Sequence, residues 1–163
     1  MQRHQATLGT LLRRLIDALD GAVENAYREA GLDFRPRYTP VIRLLLDAGP
    51  MPIRDIARQA GVSHSALSQT VSQLQREGWV ELRPGHDRRE RVVHPSDKTH
   101  KLEPALRKRW AITAAAAASL DAELPCALEP LLRQALEALE ARPFTQRLAD
   151  AALDTTGDAS RGS

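Results

Sequence analysis

Between residues 53 and 94 the apolar positions keep a helical period, break once and resume it, and then change to a strand period, all within one short stretch, IRDIARQAGVSHSALSQTVSQLQREGWVELRPGHDRRERVVH. This constrains the chain more than any other feature, because it specifies two short helices in tandem and then a β-hairpin. Ile53, Ile56, Ala57 and Ala60 recur at helical spacing. A short helix over residues 52–60 is therefore expected, with Pro52 at its start, where a missing N–H costs nothing. Gly61 ends it, since glycine takes the left-handed conformation favoured past a helix C-terminus. Ser63 is placed to cap the next helix, residues 63–77, with its side-chain oxygen.

That second helix has two unlike faces. Val62, Ala66, Leu67, Val71 and Leu74 form the expected inward stripe, while His64, Ser65, Ser68, Gln69, Ser72, Gln73 and Arg76 lie opposite. The outward face offers hydroxyls, amides and one arginine, with no carboxylate before Glu77. Such groups hydrogen-bond base edges and phosphates without repelling them, whereas an ordinary solvated face mixes Glu with Lys. Gly78 stops the helix. Residues 79–83 then alternate, Pro84-Gly85-His86-Asp87 is turn chemistry, and residues 90–94 return as a strand. Arg83, Arg88, Arg89 and Arg91 crowd this hairpin against Asp87 and Glu90 alone. A basic ribbon beside a polar helix suits a helix-turn-helix with a wing, gripping a major groove and the neighbouring minor groove of DNA.

On these residues the chain resembles the multiple antibiotic resistance regulator (MarR) family of winged-helix transcription factors. The resemblance is carried by Asp55-Ile56-Ala57 through Gly61-Val62-Ser63, by residues 71–74, by Gly78-Trp79-Val80 and by Asp87-Arg88-Arg89. It implies that Arg89 enters the minor groove, with Asp87 as its orienter. It also implies a homodimer on a palindromic operator, a repressor, and relief by a small-molecule ligand in a cleft beside the dimer helices. Two departures stand out. Many members carry Thr-Arg where this chain has Ser68-Gln69, which shifts the expected base preference, since Gln favours adenine and Arg favours guanine. The usual L-T-x-x-G after the wing is here Pro95-Ser96-Asp97-Lys98-Thr99, in which Ser96 still caps the next helix.

Around this core the chain reads as helix. Leu8, Leu11, Leu12, Leu15, Leu19, Val23 and Tyr27 mark one long helix over residues 5–30. A second opens with Thr39 as N-cap and Pro40 at its first position, and carries Val41, Ile42, Leu45 and Leu46. After Ser96 a long helix to about Glu123 is expected, with Leu102, Leu106, Trp110, Thr113, Ala117, Leu120 and Leu124 on one face. Pro104 would kink it or delay its start. Leu128, Leu131, Leu132, Ala135, Leu136 and Leu139 mark a further helix, and residues 144–153 a short last piece. Residues 154–163 have nothing to bury and are expected to be disordered.

The expected fold is thus mainly α with a small β-hairpin wing: a single domain over residues 1–153. Its winged-helix lobe covers about 38–95, and dimerisation helices cover about 5–30 and 97–153. The terminal stripes exceed what a lobe of this size can cover, which is the argument for a second copy. At 163 residues with 42% hydrophobic content the chain can bury a real core, and with 4% aromatics that core is expected to be mostly aliphatic. Lys+Arg of 23 against Asp+Glu of 21 gives a charge too mild to decide a nucleic-acid partner, so the placement of charge carries that argument.

The expected DNA-binding set is Ser63, His64, Ser65, Ser68, Gln69, Gln73, Arg76, Asp87, Arg88, Arg89 and Arg91, with Arg54 a candidate for a phosphate. Tyr38 and Trp110 are either ligand-lining or core. His94 and His100, with Asp97 or Glu103, lack an established metal spacing, and no metal or cofactor is expected. Cys126 near a helix start is either a thiol sensor or a small packed side chain. No motif supports an enzyme, and no apolar run approaches a membrane span. With one cysteine the reading leans to a reducing cytoplasm. The alternative function is a winged-helix adaptor that contacts proteins and binds no DNA. Such a face should show apolar or aromatic anchors.

Overall fold

A computed structural model describes residues 6–85 and 90–159, the side chains of 154–159 excepted. The elements in order are α1 (Leu8–Glu29), a 3₁₀ turn (Pro36–Tyr38), α2 (Thr39–Ala48), β1 (Met51–Pro52), α3 (Ile53–Ala60), α4 (His64–Arg76), β2 (Val80–Pro84), β3 (Arg91–Pro95), α5 (Asp97–Ala122), α6 (Leu128–Ala141) and α7 (Phe144–Ala159). The architecture is the expected one, mainly helical with a small sheet. The chain divides into two compact units, residues 1–113 and 114–163.

In the first unit, α3, α4 and the sheet form the winged helix-turn-helix. Gly61 ends α3 in the left-handed conformation, φ 65°. Ser63 Oγ accepts from the Ala66 N–H at 3.2 Å and so caps α4. Gly78, at φ 76°, then turns the chain into β2. The sheet is antiparallel in the order β1-β3-β2, with Leu82 opposite Val93 and Met51 opposite Val93 on the other side. The strand β1 was not legible beforehand. Its two residues pair with β3 through backbone groups that leave no side-chain period, and they draw Pro52 into the sheet, so α3 begins at Ile53.

The core is mostly aliphatic, as expected, but the chain's few aromatics are nearly all drawn into it. Both Trp, both Tyr and one of the two Phe are buried: Trp79, Trp110, Tyr27, Tyr38 and Phe34. Phe34 stands edge-on to three of them, with ring centroids 5.0 Å from Tyr27, 5.7 Å from Tyr38 and 4.9 Å from Trp79. Around them pack aliphatic residues that include Ile42, Leu45, Ile56, Leu67, Val71, Leu74, Val80, Val93 and Leu106. The few aromatics are thus concentrated where α1, α2, α4, the sheet and α5 meet. Tyr38 and Trp110 are core residues. Trp110 Nε1 donates to Tyr27 Oη at 3.0 Å, which satisfies a polar group inside an apolar centre.

Three helix starts can be compared with expectation. Thr39 is not an N-cap, because the 3₁₀ turn runs straight into α2 and Tyr38 takes the cap position. The Thr39 hydroxyl instead meets Tyr27 Oη at 3.3 Å. Ser96 does cap α5: its Oγ accepts from the Thr99 N–H at 3.3 Å and donates to Gly78 O at 2.6 Å. Pro104 neither delays the start of α5 nor breaks it; the helix is continuous from Asp97 to Ala122.

The exposed apolar residues are as informative as the buried ones. Leu8, Leu11, Leu12, Ile16 and Leu19 of α1 lie exposed, and the helix becomes buried only towards Tyr27. In the second unit, Leu131, Leu132, Leu136 and Leu139 of α6 and Phe144, Leu148 and Leu153 of α7 are exposed as well. Helix α7 runs to Ala159, past the residue where the sequence reading ended it. Among the described residues, no helix is long and apolar enough to cross a membrane.

Candidate nucleic-acid interface

The candidate surface is built on α4. Its buried residues are Leu67, Val71 and Leu74, a spacing of four and three that anchors one face against the core. Val62 and Ala66, expected in that stripe, are exposed. Both positions are left uncovered by the core, so helical spacing alone overstated the inward stripe. An uncovered first turn leaves the start of the helix accessible, as a helix that enters a groove requires.

That turn presents His64 and Ser65, both exposed. One and two turns on lie Ser68, Gln69, Ser72, Gln73 and Arg76, which line a shallow open concavity on the outward face. Local hydrogen bonds preset several of these groups. Ser72 Oγ donates to Ser68 O at 2.8 Å, Ser68 Oγ lies 3.5 Å from His64 Nδ1, and Ser63 Oγ lies 3.3 Å from Ser65 Oγ. Gln69 and Arg76 are exposed. The face carries donors and acceptors over its whole length, and its first carboxylate is Glu77 at the C-cap.

Glu77 does not stand free in that face. Its Oε1 accepts from Tyr38 Oη at 2.9 Å and from Gln73 Nε2 at 3.0 Å, and Arg35 Nη2 lies 3.8 Å away. Gln73 Oε1 in turn accepts from Arg37 Nη2. Arg35 and Arg37 were missed in the sequence. The signal was the basic pair in Arg35-Pro36-Arg37, but no periodicity links it to a helix 36 positions later. Tyr38 has its pKa raised, chiefly by burial; the Arg37 guanidinium opposes this and the Glu77 carboxylate adds to it.

The wing is placed by a pair at its base. Arg54 Nη2 of α3 meets Glu90 Oε1 at 2.7 Å, and Gly85 N donates to Glu90 O at 2.9 Å to close the hairpin. The Arg54 guanidinium, a candidate for phosphate, thus has an ion-pair partner between α3 and the wing. Arg83 is drawn to Glu81 at 2.8 Å, and Arg91 is exposed. Asp87, Arg88 and Arg89, the expected wing tip, lie outside the described residues, as does His86.

The other candidates stand apart from this surface. His94 is half-buried in β3 opposite Glu81, and His100 is exposed on α5. Among the described residues, no three His, Cys, Asp or Glu side chains stand close enough together to hold a metal ion. Cys126 is exposed rather than packed.

Residues 31–90 match the model of the MarR family. Among solved structures, the chain is similar to a Mycobacterium tuberculosis transcriptional regulator, MosR, in complex with DNA, at 19% identity and TM-score 0.63, covering 90% of this chain and 98% of that one. It is also similar to a MarR family transcriptional regulator from Silicibacter pomeroyi, at 24% identity and TM-score 0.59, covering 81% and 94%. A third likeness is to Bordetella bronchiseptica BpsR, whose DNA binding is regulated by 6-hydroxynicotinic acid, at 15% identity and TM-score 0.59, covering 87% and 96%. No curated protein matches the chain in sequence.

Proposed function

We propose that this chain, whose residues 31–90 match the MarR family model, is a MarR-like winged-helix protein that regulates transcription as a homodimer bound to a palindromic operator in double-stranded DNA. The observation that carries this reading is the exposed first turn of α4, with His64 and Ser65 on a face free of carboxylates before Glu77. In this reading His64, Ser65, Ser68 and Gln69 address base edges in the major groove, Ser63 and Arg76 hold backbone phosphates, and Gln73 supports them. Arg88, Arg89 and Arg91 carry the wing to the minor groove, with Arg89 inserted and Asp87 orienting it.

The exposed leucines of α1 and α6 support a second copy, since a solvated stripe of this size is unfavourable in a lone chain. Two-fold symmetry then sets two α4 helices on half-sites about 34–36 Å apart. Occupancy of such a site blocks transcription, and a small ligand that alters the spacing of the two helices relieves it. BpsR, regulated by 6-hydroxynicotinic acid, and NadR, solved with 4-hydroxyphenylacetate, support a small aromatic acid as the effector class. A protein-binding adaptor would present large apolar anchors along α4. Among the described residues α4 exposes no large apolar residue; Val62, exposed, lies in the turn before it.

The test is a fluorescence-anisotropy titration of DNA from upstream of the chain's own gene against a scrambled duplex, at two salt concentrations. Tight binding to the native duplex, saturating at one dimer per site and weakening steeply with salt, is the expected result. Equal weak binding to both, together with failure to select any duplex from random DNA, would overturn the regulator reading. Leu12→Arg on α1 should yield a folded monomer by light scattering and lose operator affinity. A variant that remains dimeric would remove α1 from the interface.

A further inference from the structure

The outward face of α4 does not end at the helix-turn-helix. Arg37, exposed on the 3₁₀ turn before α2, donates from Nη2 to Gln73 Oε1, and its guanidinium lies 5.4 Å over the Tyr38 ring. The other end of the same amide donates to Glu77 Oε1 at 3.0 Å. Glu77 is fixed from the core side by Tyr38 Oη at 2.9 Å. A glutamine that reads adenine uses its oxygen and nitrogen together. In Gln73 both already serve the protein, whereas Gln69, one turn earlier, lies exposed.

Resting on the regulator reading above, we infer that Arg37 is a further DNA-contacting residue that binds a backbone phosphate, and that Gln73 is the positioning residue that seats it beside the recognition helix. The chemistry fits. A guanidinium carries five N–H donors in a rigid fork and stays charged, so one bond to Gln73 leaves the rest for phosphate oxygens. The Glu77 carboxylate is paired with Arg35, whose Nη2 lies 3.8 Å from its Oε1, so its charge is partly offset where a phosphate would approach. Gln73 and Arg76 line the same concavity, so a strand that passes Arg76 also passes the site where Arg37 is held.

The experiment measures anisotropy across a salt series, with the duplex that the wild-type chain selects from random-sequence DNA and with its scrambled counterpart. Arg37→Ala should weaken binding about five-fold near 0.15 M salt on both duplexes, and lower the salt slope by about one. Arg37→Lys, which keeps the charge, should restore most of the slope. Gln73→Ala should weaken both duplexes together and leave the base preference unchanged. Arg37 is exposed, so circular dichroism should show each Arg37 variant folded. An unchanged slope in Arg37→Ala overturns the inference, as does a shift in base preference caused by Gln73→Ala. A wild-type chain that selects no duplex overturns the regulator reading itself and this assignment with it. A wild type that binds while Arg37→Ala is silent overturns the assignment alone.

Discussion

The Tyr38 hydroxyl donates to Glu77 Oε1 at 2.9 Å, tying the turn before α2 to the C-cap of the recognition helix. Tyr38 is fully buried, so this bond is made at the edge of the core rather than in water. It holds the last turn of α4 against the same aromatic cluster that centres on Phe34.

Tyr38→Phe keeps the ring and deletes the donor. Stability should fall by about 1.5–3 kcal/mol, the range for a hydrogen bond to a charged acceptor. Urea denaturation should show a lower midpoint with the slope unchanged. The pH dependence follows in sign. The folded-state pKa of Tyr38 lies above the ordinary tyrosine value of about 10, mainly through burial. Its contribution is therefore fully present below about pH 10 and is lost as pH rises through the higher folded-state value. The Phe variant should lack that component of alkaline destabilisation.

Phe34→Ala empties the position where three aromatic edges converge. A loss of about 3–5 kcal/mol is expected, since the rings around it cannot all collapse into one gap. The denaturation midpoint measures it. A loss under about 1 kcal/mol would mean that the cluster repacks freely.

Ser96→Ala removes one hydroxyl that accepts from Thr99 N and donates to Gly78 O. The substitution should cost about 1–2 kcal/mol, a helix cap plus a carbonyl left poorly satisfied. Ser96→Thr should recover part of it. Differential scanning calorimetry on the two variants separates the cap from simple loss of volume.

Gln69→Ala should relax base preference at one position in each half-site and cost about 1–3 kcal/mol against the preferred sequence. On scrambled DNA its effect should be slight. Selection from random duplexes with wild type and variant reads this directly. A uniform loss on all sequences would place Gln69 against a phosphate instead.

The helix-turn-helix was legible because its punctuation is local. Gly61, Ser63 and Gly78 act through their own backbone conformation or through the next turn of helix, and each does what its position in the sequence implies. The polar outward face of α4 was legible for the same reason, since helical period alone assigns the two faces. The period could not show where the core stops. Ala66 has the spacing of a buried residue and lies exposed, because burial depends on what stands opposite.

What the sequence by itself determined is thus the order of elements, the turns between them and the polarity of the helix faces, all consequences of interactions within a few residues. What only the tertiary structure decided is which distant groups meet. Five aromatics scattered from Tyr27 to Trp110 form one core, and Met51 and Pro52 find β3. Arg37 reaches Gln73 across 36 positions. These contacts depend on the three-dimensional packing of whole elements, which no local period encodes.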